Sequence, residues 1–357
     1  MFGTPASKLP PVRSAENVSH SQRLLPVQRD FKWGYINQVG EIVIEPQFDS
    51  AEEFSDGLAF VRYANREKPP KPGETTPELI IGAGFIDETG KVVLELESPA
   101  ALGGDSFFEG LTKFWTGQSG QTLYGYIDKN GAVAIKPQFT YAYEFFEGLA
   151  AVCVDEKCGF IDKTGAFVIA PKYRVAFPFS DGFAVVGFDH DKVGFVNKSG
   201  DMVIEPQFGN FVGTMFKEGF SSVAYASGKY GYVDAQGTLA IPMQFDQAQP
   251  FSEGLAAVSI NGKWGYIDKH GKFVIQPQFR GAGPFAEGLA PVNSEQSLMK
   301  TEQTGVGTGY IDKTGKLVIA LSFDGGMSFV NGIAKVYVDG KVGYIDKKGN
   351  YTWKPSR

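Results

Sequence analysis

At 357 residues and 43% hydrophobic content the chain is long enough to bury a substantial core, and 34 Lys plus Arg against 40 Asp plus Glu leave a net charge of -6. That balance, with no basic stripe along the chain, excludes nucleic acid as a partner, and the lack of any apolar run of about 18 residues excludes a spanning helix. Thirty Phe, fifteen Tyr and forty-five Gly, beside six Met and two Cys, predict an all-β protein of many short strands and tight turns.

Residues 1–23 precede any pattern and are expected to form a flexible tail. They lack the apolar segment of a secretory signal, so the expected location is cytoplasmic if Met1 is native, and secreted or periplasmic if a signal peptide has been removed. From Leu24 onward the sequence repeats. An aromatic-Gly-aromatic-Ile-Asp pattern, plainest in Trp264-Gly265-Tyr266-Ile267-Asp268, recurs around Gly34, Gly84, Gly125, Gly159, Gly194, Gly231, Gly265, Gly309 and Gly343. A second signature, Phe-x-(Glu, Asp or Asn)-Gly, follows each anchor but the last, with Phe54, Phe107, Phe145, Phe179, Phe216, Phe251, Phe285 and Phe329. From each anchor glycine to the apolar residue after the second signature the separation stays between 24 and 27; from there to the next anchor it varies from 10 to 26. The unit is therefore rigid except at one connection.

Turn chemistry divides the unit into strands. Asn261-Gly262 between two apolar runs predicts a type I′ hairpin pairing LAAVSI with KWGYI. The next turn, Asp268-Lys269-His270-Gly271, pairs KWGYI with KFVIQ, and every copy keeps Asp or Asn first and Gly fourth. Proline, as at Pro46, Pro137 and Pro277, is expected to end the third strand because it cannot donate to a ladder. Each unit thus reads as a three-stranded antiparallel meander with both faces apolar, which neighbouring units must cover. Propellers usually have about four to eight four-stranded blades. Nine units of three strands point instead to an open, curved stack over residues 24–357, with a closed propeller-like ring as the alternative.

The KWGYI strand, the D-K-x-G turn, the PQF triplet and the F-x-E-G-L-A run together resemble the WG containing repeat family, across about residues 24 to 357. Only Trp33 and Trp264 keep the signature Trp; Ala83, Tyr124, Cys158, Val193, Tyr230, Thr308 and Val342 replace it, which makes the Trp a packing residue. The resemblance implies a largely bacterial family that mediates interactions, and it brings no catalytic residues and no cofactor.

The recurring acids, such as Asp268, Asp312 and Asp346 or Glu147, Glu253 and Glu287, do not suit a catalytic carboxylate pair, which is needed once and at one separation. A D-K-x-G turn offers calcium one carboxylate and a repelling lysine. His20, His190 and His270 lack a second ligand at zinc spacing. No enzyme, metal or cofactor is expected. Cys153 and Cys158 become directly opposed across a hairpin, one pair outside its Asp155-Glu156 turn, so a disulfide is geometrically allowed; two small buried thiols in a reducing compartment are the simpler account.

The functional expectation rests on the insertions, which run from Ala64 to Ala83, from Gln118 to Tyr124 and from Asn293 to Thr308. All occupy the same turn of the unit and so emerge on one edge. The first holds a segment with Arg66, Lys68, Pro69, Pro70 and Lys71, which could present polyproline to an aromatic groove. Trp115 and Tyr124 lie near the first two insertions, Trp115 as an aromatic anchor or as core. The expected protein is a non-catalytic scaffold holding a protein or peptide on this edge or on the concave face. A carbohydrate or cell-wall module is the alternative.

Overall fold

A computed structural model describes residues 23–68, 78–96, 106–118, 121–189, 191–209, 215–225, 228–294 and 307–355. Of the expected tail, only Arg23 is among them; its guanidinium pairs with Glu53. The described residues form nine antiparallel sheets, each contiguous in sequence, over residues 25–48, 50–95, 111–139, 141–173, 175–209, 220–245, 247–279, 281–323 and 325–353. We number them blades 1 to 9.

The hairpins follow from the turn residues. Asn261 and Gly262 both have positive φ (50° and 72°), and Val258 pairs with Gly265 in the register expected of LAAVSI with KWGYI. At the next turn the Asp268 Oδ1 accepts from the backbone N–H groups of His270 and Lys272, each at 2.9 Å. Two other expectations fail. Proline does not end the third strand: Phe273–Phe279 runs through Pro277, and Phe279 pairs with Trp264. The register shifts between Trp264 and Tyr266 make Gln276 to Gln278 a bulge, where a residue without an N–H loses no ladder bond. Gly265 opposes that bulge, and a Cβ there would sit 2.5 Å from the Ile275 carbonyl oxygen. Nor is the unit three-stranded throughout. In six blades a two-residue strand, such as Gln247–Ala248, adds a fourth member.

The nine sheets are arranged in a ring, as a nine-bladed β-propeller, and the expected open stack is incorrect. The reason lies in how blades join. In blades 1, 3, 6, 7 and 8 the Tyr after the anchor glycine donates its hydroxyl to a backbone carbonyl of the next blade: Tyr35 to Glu52, Tyr126 to Tyr143, Tyr232 to Gln249, Tyr266 to Gly283 and Tyr310 to Met327, at 2.6 to 2.9 Å. In blade 9, Tyr344 donates to Pro26 of blade 1 at 2.9 Å, so the last joint is of the same kind. Leu25, Val27, Ile36, Ile333 and Tyr344 pack together across it.

The second signature completes the joint. Each invariant Phe packs on the aromatic ring after the preceding anchor glycine, as in Tyr35–Phe54, Phe85–Phe107 and Tyr266–Phe285, with centroids 4.8 Å apart. Such a pair adds about 0.5–1.5 kcal/mol beyond burial, while fully burying one large apolar side chain contributes roughly 1.5–3 kcal/mol. Burial therefore sets the strength of a joint, and the hydroxyl bond sets its alignment. Burial also drives the Tyr35, Tyr126, Tyr232, Tyr266, Tyr310 and Tyr344 hydroxyls well above the ordinary tyrosine range, which keeps them protonated donors.

Candidate functional site

Antiparallel pairing sorts the turns onto two faces of the ring. The Phe-x-Glu-Gly and Asp-Lys-x-Gly turns share one face, and the hairpins that carry the insertions share the other.

On the first face the repeated acids acquire a role that sequence reasoning missed. Glu253 of blade 7 accepts the Gly288 N–H (3.0 Å) and the Lys313 ammonium (3.2 Å), both of blade 8. Glu287 of blade 8 takes Gly332 and Lys347 of blade 9 in the same way, and Glu109, Glu147 and Glu218 repeat the arrangement. Partial burial would raise the Glu253 and Glu287 carboxyls, but the lysine and the backbone N–H outweigh it and hold both below the usual range. These acids are joint residues, each tying its blade to the next. Asp181 breaks the series: it receives the Gly219 N–H, but Ala235 stands where the next blade would supply lysine. Ala235 also lines a shallow depression with Phe220, Gln236, Lys269 and His270.

The opposite face carries the predicted site residues. Arg66 and Lys68 lie on the lengthened strand Ala59–Lys68 of blade 2, opposite Ile80 and Glu78 in register. Pro69, Pro70 and Lys71 lie outside the described residues. Trp115 and Tyr124 of blade 3 are brought together as a directly opposed cross-strand pair, both half-buried. The structure then extends this pair. Tyr124 lies 6.2 Å from Tyr141 of blade 4, Tyr141 lies 5.1 Å from Tyr143, and Tyr143 lies 6.1 Å from Phe177 of blade 5, all between ring centroids. Tyr141 is 47% exposed. Beside the strip, Lys113 and Glu144 form a largely buried ion pair of 2.9 Å between blades 3 and 4. The Tyr143 hydroxyl is pushed up to about 12, chiefly by burial and then by its bond with Tyr141.

Repeat packing accounts for Tyr124, which stands at the signature Trp position, but not for Trp115, Tyr141 and Tyr143. The positions of Tyr141 and Tyr143 hold Gln247 and Gln249 in blade 7 and Gly281 and Gly283 in blade 8, while that of Trp115 holds Ser259 and Asn293. Aligning the units by their turns would have revealed Tyr141 and Tyr143 as off-pattern aromatics.

Cys153 and Cys158, the directly opposed pair of blade 4, are joined as a disulfide, so the simpler account of two free thiols does not hold.

A nine-bladed propeller built of Trp-Gly type units defines the class of protein. The WG containing repeat matches residues 33–66, 124–158, 159–189, 194–225, 230–264, 264–295 and 309–341, more than half of the sequence; the chain belongs to that family. Among solved structures, one titled a crystal structure of the eukaryotic initiation factor is similar over 93% of this chain and 95% of its own, with a TM-score of 0.65 and 13% identity, which speaks to fold alone. BamB from Moraxella catarrhalis is similar over 93% and 96% of the two chains at a TM-score of 0.39 and 10% identity, too low to carry an argument. No curated protein matches the sequence.

Proposed function

We propose that this chain is a non-catalytic interaction scaffold that holds a protein or peptide partner on its hairpin face, across blades 3 to 5. The supporting observation is the aromatic strip of Trp115, Tyr124, Tyr141, Tyr143 and Phe177, in which Trp115, Tyr141 and Tyr143 stand where blades 7 and 8 carry Ser, Asn, Gln or Gly. Rigid rings with hydroxyl tips give large contact area at low entropic cost, and aromatic anchors commonly dominate recognition. The lengthened hairpins of blades 2 and 3 flank the strip and supply further surface.

A displayed peptide library selected on the intact protein tests this. Selected peptides should lose at least about tenfold in affinity for a Trp115→Ala/Tyr141→Ala variant, about 1.4 kcal/mol, and keep it for Tyr351→Ala on blade 9. Equal binding to all three would remove the strip from the interface. Stacking of sugar rings on the open Tyr141 face is the second reading. Saturable glycan binding that disappears in Tyr141→Ala, with no peptide selected, would favour it.

A further inference from the structure

The Cys153–Cys158 bond contributes little that the fold needs. Its hairpin already has a continuous ladder from Ala150↔Ile161 to Val154↔Lys157. The Thr140 hydroxyl ties the tip by donating to the Asp155 carbonyl at 2.9 Å, and Arg174 pairs across it with Glu156 at 2.9 Å. The two cysteines are five positions apart, so the cross-link closes a very small loop, which constrains the unfolded chain least. Equivalent hairpins do without it, with Ser259 opposite Trp264 in blade 7 and Asn293 opposite Thr308 in blade 8.

The surroundings suit a bond that opens. Cys153 is half-exposed beside the exposed tip residues Val154 to Lys157, whereas Cys158 is only 6% exposed. The Cys158 Sγ lies 3.8 Å from the Arg174 carbonyl oxygen. A disulfide sulfur has no proton to donate there; a thiol does. Tyr173, the register partner of Cys158 in the same packed cluster, has the one buried side-chain polar atom without a hydrogen-bond partner among the described residues. A Cys158 thiol would therefore find an acceptor already within reach.

From this we infer that Cys153–Cys158 is a redox-active disulfide that exchanges with small dithiols, or with dithiol reductases, while the propeller stays folded. A reductant thiolate attacks the Cys153 Sγ, forming a mixed disulfide as the Cys153–Cys158 bond breaks, and Cys158 leaves as a thiolate that takes up a proton. The second thiolate of the reductant attacks its own mixed-disulfide sulfur, closing the oxidised reductant and releasing Cys153, which is protonated in turn. Two electrons pass from the dithiol to the protein.

Dithiothreitol titration of the intact protein in native buffer, followed by alkylation and mass spectrometry, tests this. The air-equilibrated protein should show no free thiol. Titration should then label both cysteines with circular dichroism and melting profile essentially unchanged. Labelling only in denaturant, or with loss of the melting transition, would overturn the inference, as would two free thiols before reductant is added. The order of attack has its own readout, since Cys153 in Cys158→Ser should react with an aromatic disulfide at least about tenfold faster than Cys158 in Cys153→Ser. The reverse ranking would overturn Cys153 as the entry point.

Discussion

The Tyr344 hydroxyl and the Pro26 carbonyl, 318 positions apart in sequence, meet at 2.9 Å in the same geometry that joins Tyr310 to Met327 seventeen positions away. Replacing Tyr344 by Phe removes the donor and leaves a buried acceptor, at a cost of about 1–3 kcal/mol. Tyr310→Phe should cost a similar amount. The two differ in where the loss appears: amide hydrogen exchange should rise in blades 1 and 9 for Tyr344→Phe, and in blades 8 and 9 for Tyr310→Phe. Uniform exchange changes in both variants would argue that the seam is not a separable joint.

The gap at Ala235 can be filled. Ala235→Lys places an ammonium within reach of Asp181, as Lys198 reaches Glu147 one blade earlier at 3.0 Å. Both partners in such pairs are about a third to a half exposed, so the gain should be modest, roughly 0.2–1 kcal/mol, and should shrink in high salt. Lys313→Ala should lose a comparable amount. Chemical denaturation at two ionic strengths measures both, and a salt-independent gain would point to packing instead.

Stability should fall at both ends of the pH scale, for opposite reasons. Glu253 and Glu287 have lowered carboxyl ranges in the folded chain, so the stability they bring is present above the unfolded value, near 4.3, and is lost as pH falls through the folded value. The six joint tyrosines have raised ranges, so their contribution is complete below about pH 10 and is lost as the unfolded chain ionises above it. The share of tyrosinate absorbance that belongs to these six, of fifteen tyrosines in the chain, should therefore appear together with unfolding in an alkaline titration. Ionisation of these six ahead of unfolding would contradict their burial.

Two glycines should fail differently. Gly265→Ala drives a Cβ against the Ile275 carbonyl oxygen and forces the bulge apart, at roughly 1–3 kcal/mol or more. Gly254→Ala meets no atom within 4 Å, but its φ of +84° strains an L-residue by about 1–2 kcal/mol. Thermal unfolding of the two variants should rank Gly265→Ala as equally or more damaging, with altered Trp264 fluorescence only in that variant.

The nine units and both hairpins were legible because Asn261-Gly262 and Asp268 to Gly271 each act within a few residues. The ring was not, because closure depends on Tyr344 meeting Pro26, a contact no local pattern announces. The fourth strand escaped because two residues, such as Gln247–Ala248, have no period to detect. Pro277 misled because its rule holds for a regular ladder and this strand bulges. At the candidate site Trp115 and Tyr124 stood out by their position near insertions, whereas Tyr141 and Tyr143 became conspicuous only once the units were set in register.

Every sheet among the described residues is contiguous in sequence, and the first and last strands, Leu25–Arg29 and Tyr351–Trp353, lie in different blades. Closure therefore rests on blade 9 packing against blade 1, with no strand shared between them among the described residues. The joint between blades 9 and 1 is then interchangeable with the joint between any other two neighbours. Joining residues near Pro26 and Trp353 through a linker, and opening the chain at Asp246 between blades 6 and 7, should give a circular permutant with the same nine sheets, its old seam now an ordinary joint.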